Sequence, residues 1–254
     1  MAKYKALTNS NIKLGSEVRV LNFGRSVDPE VCVLEENKQD GDGESCYVED
    51  RCYNRPLESF RKTLRLRLEW LQEQEPETLV SLAIDELDIA LRFKTVLWFR
   101  VSVNGSVPTY PSAKLISLLR SMLVMLKEYQ VPVHFPVETR AKARRYSSHL
   151  SDLCTVRASV DPLTFLVTDV PASTVVRRRG KNKPEVRRNL LQDSLALKAI
   201  HYRQSDTVAN AIICPFEAYV CKHECSNKQV PDNHKCQACQ ACSDDSKQII
   251  FLDT

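Results

Sequence analysis

The stretch that decides the fold is Thr95-Val-Leu-Trp-Phe-Arg-Val-Ser-Val103, which ends at the turn pair Asn104-Gly105. Its β-branched and aromatic side chains are typical of a buried strand. From there to Val160, segments with a strand pattern alternate with segments with a helix pattern. Strands separated in this way pair in parallel through right-handed crossovers. The pattern therefore predicts an α/β core with a mostly parallel sheet and flanking helices.

The neighbouring segments supply the rest of this core. A leucine stripe from Leu115 to Leu126 predicts an amphipathic helix, and Thr139 is the expected N-cap of a second, basic helix. Because a short connection separates residues 153–159 from residues 163–168, these two strands are expected to pair antiparallel. The expected elements around the opening stretch are strands at 17–21, 30–34, 131–135, 153–159 and 163–168 and helices at 56–75, 77–91, 115–126, 139–150 and 186–200.

Length and composition indicate a globular protein. The chain has 254 residues and is 43% apolar, which is enough to bury the core of one large domain or of one domain with an appendage. No apolar run reaches the roughly 18 residues that span a bilayer, and the first residues do not have the pattern of a signal peptide. We therefore expect a soluble, cytoplasmic protein that does not need a membrane, with a nuclear location left open.

The cysteines predict a metal site rather than disulfides. Ten cysteines are present, six of them after residue 213, and the cytoplasm keeps thiols reduced. Two close pairs would bring four thiolates to one zinc ion. The zinc would be structural, because sites made of cysteine alone leave no open position for chemistry. A tail of ordinary thiols is the alternative. The first choice of ligands is Cys221, Cys225, Cys236 and Cys239, and the alternates are Cys214, His223, His234 and Cys242.

Basic residues are concentrated although the net charge of the chain is only +4. Residues 177–188 hold seven lysines and arginines in twelve positions, and the expected helix at 139–150 is basic on its outer side. Such clusters bind phosphates with steep salt dependence and little sequence selectivity. A solvated loop or a nuclear-import signal is the alternative for residues 177–188. The predicted RNA-binding residues are Arg140, Lys142, Arg144, Arg145, Arg177, Arg178, Arg179, Lys181, Lys183, Arg187 and Arg188.

The sequence lacks the common motifs of self-contained catalysis. It contains no Gly-x-x-x-x-Gly-Lys-Ser/Thr, no Gly-x-Ser-x-Gly, no His-Glu-x-x-His and no glycine-rich dinucleotide turn. The opening strand leads into Asn104, whereas an ATPase strand of this type would end in an acid that holds magnesium. We predict that the chain has no active site of its own.

A series of short motifs occurs in the order found in one known family. They are Val96-Leu-Trp-Phe-Arg-Val-Ser-Val-Asn-Gly-Ser-Val-Pro108, Leu118-Leu-Arg120, Leu150-Ser-Asp-Leu153, Leu163-Thr-Phe-Leu-Val-Thr-Asp-Val-Pro171 and Asp193-Ser-Leu-Ala-Leu-Lys198. Over residues 94–200 the series resembles the fourth subunit of the Elongator complex. The resemblance implies a RecA-like fold without a normal phosphate loop, packed with two related subunits in a ring that binds tRNA and supports wobble-uridine modification. It also implies that any ATP would bind at a subunit interface.

Two functional interpretations follow. In the first, the chain is a non-catalytic RecA-like subunit that assembles with paralogous RecA-like subunits or other proteins and binds RNA. In the alternative, it is a zinc-bearing adaptor that binds proteins or nucleic acid and has no role in tRNA modification. Both divide the chain into an irregular N-terminal segment with short strands (1–55), the RecA-like α/β core (56–204) and a cysteine-rich zinc-binding tail (205–254).

Overall fold

The computed structural model describes residues 4–9, 17–23, 66–67, 69–71, 73–101, 107–160, 162, 165, 170–176, 179–204, 211–223 and 229–252. The strands of this part of the chain form one sheet. They are β1 (Leu7–Asn9), β2 (Val18–Leu21), β3 (Trp98–Val101), β4 (Val133–Val137), β5 (Thr155–Ser159), β6 (Ala172–Val176), β7 (Ala211–Ile213) and β8 (Gln248–Leu252). The helices are α1 (Pro76–Arg92), α2 (Ala113–Glu128), α3 (Arg140–Leu150), α4 (Lys183–Gln204), α5 (Pro215–His223) and α6 (Cys236–Cys239), with 3-10 turns at Asp232–His234 and Ala241–Ser243.

The sheet has the strand order β1-β2-β3-β4-β5-β6-β8-β7. Strands β1 and β2 are antiparallel, and every later neighbouring pair is parallel. The order follows the chain from β1 to β6 and then departs from it, because β8 lies between β6 and β7. The expected α/β class, with a mostly parallel sheet and flanking helices, is therefore confirmed.

Local sequence signals begin each of the central helices. Helix α1 has Pro76 at its first position, where a missing N–H is harmless. The hydroxyl of Ser112 accepts a hydrogen bond from the Leu115 amide at 3.0 Å and caps α2. Thr139 caps α3 in the same way, since its hydroxyl accepts from the Lys142 amide at 3.1 Å, as the sequence predicted.

The main core lies between the helices and one face of the sheet. Right-handed crossovers between consecutive parallel strands place their helices on the same face. Accordingly, Phe99 of β3 and Phe135 of β4 share one buried cluster with Leu87 of α1, Leu119 of α2 and Tyr146 of α3. All five side chains are fully buried. The helix face of the sheet is thus a packed interior.

The opposite face of the sheet is covered by the C-terminal segment. Val18 of β2 and Trp98 of β3 pack in a second cluster with Ala241, Cys242 and Ile249. Strands from both sides of the sheet order, β2 and β3 on one side and β7 and β8 on the other, contribute to this cluster. The sheet is therefore curved, and its concave face surrounds the segment that carries the cysteines.

Most of the expected central elements are present. The strands at 95–103, 131–135 and 153–159 and the helices at 115–126 and 139–150 correspond to β3, β4, β5, α2 and α3. The expected helices at 77–91 and 186–200 correspond to α1 and α4, and the strand at 17–21 to β2. Residues 66–67 and 69–71 are helical, within the helix expected at 56–75. The strand expected at 30–34 lies outside the described residues.

Two expectations differ from the structure. Of the strand expected at 163–168, the structure describes Phe165 alone, and this residue lies in a 3-10 turn. The strand beside β5 is instead β6, which follows Pro171 and pairs parallel to β5, where no strand was predicted. The tail at 205–254 was expected to be an appendage, yet it contributes β7 and β8 to the sheet. The short apolar runs at 211–213 and 249–252 explain this, because each completes a strand once the other is beside it.

Each helix in the described part of the chain is too short or too polar to cross a lipid bilayer.

Candidate metal centre

Four cysteines line one small cavity on the concave face of the sheet. They are Cys214, Cys236, Cys239 and Cys242, and we call the space that they line the cysteine cavity. Its volume is about 10 Å³, roughly the space of one water-sized sphere. The other side chains around it include His234, Trp98, Ile212 and Ile249. Sulfur donors in an otherwise mostly apolar enclosure favour a thiophilic metal over a hydrated cation such as magnesium.

The backbone brings the cysteines to the cavity from two places. Cys214 directly follows β7, and its amide donates to the Ile250 carbonyl of β8 at 2.8 Å. Cys236 and Cys239 are the first and last residues of α6. Gln240 then adopts a left-handed conformation, with φ of 50°, and turns the chain into the 3-10 turn that contains Cys242. Three cysteines thus come from one compact segment and the fourth from the end of a strand.

A buried arginine holds this segment against the sheet. Arg157 of β5 is fully buried. Its guanidinium donates to the carbonyls of Ala172 at 2.9 Å, Lys247 at 2.6 Å, Asp244 at 2.7 Å and Cys242 at 3.3 Å. Burial lowers the pKa of Arg157 to about 10, a shift opposed by the electrostatic effects of Cys242, Asp244 and Asp245. A positive charge therefore lies inside the protein next to the cysteine cavity.

The turn after the cysteines is fixed by further hydrogen bonds. The Thr155 hydroxyl of β5 donates to the Ser243 carbonyl at 2.8 Å. Asp244 accepts from the Ser246 amide at 3.0 Å and pairs with the Lys247 ammonium at 2.5 Å. The hydrogen bond from Lys247 is the first cause that lowers the pKa of Asp244, followed by one from Ser246. The segment therefore enters β8 in one defined conformation.

Trp98 contributes an unusual polar atom to the same place. Its side chain is 1% exposed and lines the cysteine cavity. The indole Nε1 is a buried donor for which the described part of the chain offers no acceptor. Buried donors are nearly always paired in folded proteins. It is one of four buried side-chain polar atoms of the described residues that have no hydrogen-bond partner there.

The structure distributes the predicted zinc ligands unequally. Cys236 and Cys239 line the cavity, together with the alternates Cys214, Cys242 and His234. Cys221 does not belong with them, because α5 turns it into the core on the helix side, where it is 3% exposed. The ring of the alternate His223 lies against the Tyr219 ring, with 4.1 Å between centroids. Cys225 lies outside the described residues.

Among the described residues, no three His, Cys, Asp or Glu side chains lie together as a ready-made site for a metal ion. The described cysteines are thiols and form no disulfide with one another. Zinc in this region thus stays a prediction. The signal in the sequence that identifies the cavity residues is the run of three cysteines spaced three apart, Cys236, Cys239 and Cys242, whereas nothing in the sequence marks Trp98 or Arg157 as their neighbours.

The basic residues of α3 are mostly engaged within the protein. Lys142 is fully buried, and its ammonium donates to the Val107 carbonyl at 2.8 Å and to Glu138 at 3.0 Å. Its prediction as an RNA contact is wrong for that reason. Arg140 is only 8% exposed. Arg145 lies over the Tyr110 ring at 4.3 Å and is half-buried. Of the predicted α3 residues, Arg144 is the exposed one.

The basic residues before and within α4 are more accessible. Asn182 caps the helix by accepting from the Glu185 amide at 3.0 Å, and Gly180 makes the preceding turn with φ of 139°. Lys181, Lys183 and Arg188 are exposed and form no ion pair with any described residue. We call these three residues the basic end of α4.

The remaining predicted residues of this run differ from the basic end of α4. Arg179 pairs with Asp193 at 2.6 Å, and the hydrogen bond that its guanidinium donates to the Asp193 carboxylate raises the pKa of Arg179. Arg187 is half-buried. Arg177 and Arg178 lie outside the described residues.

Fold and site together define an α/β protein with a curved, mostly parallel sheet and a cysteine-lined cavity on its concave face. Comparison of the chain with family models, with curated proteins and with solved structures gave no significant match.

Proposed function

We propose that the chain is a metal-binding, non-catalytic α/β subunit that binds RNA through the basic end of α4. The observation that carries the RNA-binding proposal is the exposure of Lys181, Lys183 and Arg188 without an ion pair to any described residue. Such cations are available to neutralise RNA phosphates and so release the counterions that surround the RNA. In this proposal a metal bound in the cysteine cavity has a structural role, because it would hold the C-terminal segment against the sheet.

The position of the cations at the start of a helix strengthens the proposal. The N-terminus of a helix carries a partial positive charge, which repels the charges of nearby lysines and arginines. Cations at this position therefore usually destabilise the helix. Three exposed cations around the first turns of α4, which begins at Lys183, therefore contribute little to its stability. They do create a positive potential at one end of the helix, which attracts phosphates.

The mode of binding follows from the side chains present. Lysine and arginine contacts to phosphates give affinity that depends on salt and not on base sequence. The basic end of α4 consists of charged residues alone, so base stacking is not part of the proposal. We therefore expect binding to a folded RNA such as tRNA through its backbone.

The resemblance to the fourth Elongator subunit gives this proposal its cellular context. A mostly parallel α/β sheet is compatible with the RecA-like architecture that the resemblance implies. In that context, paralogous RecA-like subunits would be the neighbours of the chain, tRNA its ligand, and any ATP would bind between subunits. Mass spectrometry of the complex recovered from native extracts tests this assignment, which fails if no such neighbours accompany the chain.

Filter binding of tRNA across a salt series tests the RNA-binding proposal. The variant K181A/K183A/R188A removes the basic end of α4, and K5A/K114A/K198A removes three exposed lysines elsewhere. Each phosphate contact contributes about 0.7–0.9 to the slope of log K against log salt, so the first variant should lower the slope by about 2. The control variant should leave it close to wild type. Equal effects of the two variants, or no binding by wild type at low salt, would exclude this surface.

An adaptor without a role in tRNA is the second candidate. The observation that favours it is a group of exposed apolar side chains at the end of α1 and in the connections beside it, namely Ile89, Phe93, Leu97 and Tyr129. Phe93 is 75% exposed, and contiguous exposed apolar surface is typical of protein interfaces. Gel filtration separates the candidates, because a ring subunit associates with itself or with paralogues whereas an adaptor can stay monomeric.

A further inference from the structure

We propose that Cys236 and Cys239 form a reversible disulfide, with a small-molecule disulfide such as glutathione disulfide as the oxidant. The inference goes beyond the proposed function, because it needs two thiols and no bound metal. In the structure both residues are thiols, which corresponds to the reduced state. The cavity that they line has space for about one water-sized sphere, and a disulfide places no further atom between its two sulfurs.

The backbone holds the two cysteines at the separation that a disulfide spans. The Cys239 amide donates to the Lys235 carbonyl at 2.9 Å, and the Gln240 amide donates to the Cys236 carbonyl at 3.0 Å. These bonds fix both cysteines on one α-helical turn, where Cα atoms three positions apart lie about 5 Å from each other. Disulfides join residues whose Cα atoms are about 4.4–6.8 Å apart. Bond formation therefore requires rotation of the two side chains and no refolding of α6.

Exposure distinguishes this pair from the other described cysteines. Cys236 and Cys239 are partly exposed, so a dissolved oxidant can reach them. Cys154 is partly exposed too, but burial of its thiol raises the pKa to about 12, and the reactive thiolate is therefore rare. Three further described cysteines are buried, namely Cys214, Cys221 and Cys242. Because exchange with a dissolved disulfide starts at an accessible thiolate, Cys236 and Cys239 are the pair in which it starts.

The oxidation consists of two successive exchange steps. One thiolate of the pair attacks a sulfur of glutathione disulfide, which forms a mixed disulfide and releases one glutathione thiolate. The second thiolate of the pair attacks the protein sulfur of that mixed disulfide, which closes the bond between Cys236 and Cys239 and releases the second glutathione. The chain loses two electrons and two protons, and glutathione disulfide gains them as two glutathione thiols. Reduced glutathione reverses both steps.

The short ring that the bond closes keeps the disulfide reducible. Cys236 and Cys239 are the first and last residues of a four-residue helix, and a disulfide stabilises a fold less when its loop is shorter. The bond also uses two of the four cysteines that line the cavity, so the disulfide and a metal held there exclude each other. Oxidation would therefore release such a metal, and this consequence alone rests on the proposed function.

Thiol mapping of the full chain tests the proposal. The chain is treated with a chelator and equilibrated with glutathione disulfide, and its remaining thiols are labelled with N-ethylmaleimide. Trypsin then releases residues 236–247, which contain Cys236, Cys239 and Cys242. We expect this peptide to carry one label, on Cys242, and to carry labels on all three cysteines after equilibration with reduced glutathione instead.

Three results of the mapping would overturn the proposal. They are full labelling of the peptide at every ratio of glutathione disulfide to glutathione, a glutathione adduct that never closes to a disulfide, and a bond from either residue to another cysteine. Metal content is measured separately on the untreated chain. The disulfide and the metal site can therefore fail independently of each other.

Single cysteine variants identify the pair. In Cys239→Ser the disulfide should be lost, and Cys236 should keep a glutathione adduct because no second thiol of the pair resolves it. Cys154→Ser is the matched control, since Cys154 is also partly exposed, and it should form the disulfide to the same extent as wild type. Equal loss of the disulfide in the two variants would overturn the assignment. Because a variant can fail to fold, the mapping of wild type decides the proposal independently.

Discussion

Replacing Arg157 by methionine should destabilise the protein more than any comparable change to a surface arginine. The side chain is fully buried and donates to carbonyls of Ala172, Lys247 and Asp244 at 2.6–2.9 Å, and more weakly to that of Cys242. Methionine fills a similar volume but donates no hydrogen bond. These acceptors would then be left buried without a donor.

The size of the effect follows from those bonds. A buried polar group without a partner costs about 1–3 kcal/mol, and three of the four bonds are short. Removing the cation recovers part of this loss, because burial already disfavours its charge, as the pKa of about 10 shows. We expect a net loss of about 3 kcal/mol in the free energy of unfolding. For a chain of this size, the loss corresponds to a fall in Tm of roughly 6–12 °C.

Thermal unfolding followed by circular dichroism measures this effect. Arg120→Met is the matched control, because Arg120 is exposed and its ion pair with Asp152 lies in solvent, so its Tm should stay close to that of wild type. Arg157→Lys should fall between the two, since a single ammonium reaches fewer carbonyls. Equal Tm values for Arg157→Met and Arg120→Met would show that the hydrogen bonds of Arg157 do not hold the C-terminal segment against the sheet.

The remaining predictions concern the core, a buried lysine and a titrating turn. Leu87→Ala should lower the free energy of unfolding by about 2–5 kcal/mol because it empties a fully buried site, whereas Ile89→Ala, 60% exposed on the same helix, should change it little; urea titration compares them. Lys142→Met should lower Tm without a change in the salt slope of tRNA binding, because the ammonium is enclosed; an altered slope would contradict its burial. Asp244→Asn should destabilise the protein at neutral pH. Because the pKa of Asp244 is lowered in the folded protein, its contribution to the free energy of unfolding is present above its ordinary pKa of 3.8 and is lost as pH falls through the lower folded value. Urea titrations of wild type and Asp244→Asn should therefore give the same free energy of unfolding in acid. A difference between the two proteins that persists in acid would contradict this prediction.

The parts of the fold predicted from the sequence are those with strong local signals. Residues 95–103 combine apolar content with a turn at the end, and Thr139 marks the start of α3. Strand β6 was missed because Ala172–Val176 is short and moderately polar, next to a more apolar run at 163–168. Strand β7 has only three residues, which are too few to show an alternating strand pattern. It is defined instead by its pairing with β8, which lies far along the chain.

The sequence predicted the region of the chain that carries the site but not the arrangement of its side chains. The cysteines indicated a metal, but spacing alone treats Cys221 and Cys242 as equal donors. They differ because α5 directs Cys221 into the helix-side core while the turn after Gln240 directs Cys242 to the cavity. Arg157 is in contact with carbonyls about 90 residues later in the chain, which no local pattern reveals. Lys142 looked accessible because the segment that covers it, at Val107, is also distant in sequence.

The insertion of β8 between β6 and β7 has a consequence for synthesis of the chain. Residues of β7 leave the ribosome well before those of β8. Until β8 has emerged, β7 lacks its partner strand and β6 lacks the partner on one of its two sides. Both would wait with an unpaired backbone edge, which is the kind of surface that chaperones cover and that aggregates form on. A nascent chain stalled before residue 248 should therefore depend on chaperones far more than the released protein does.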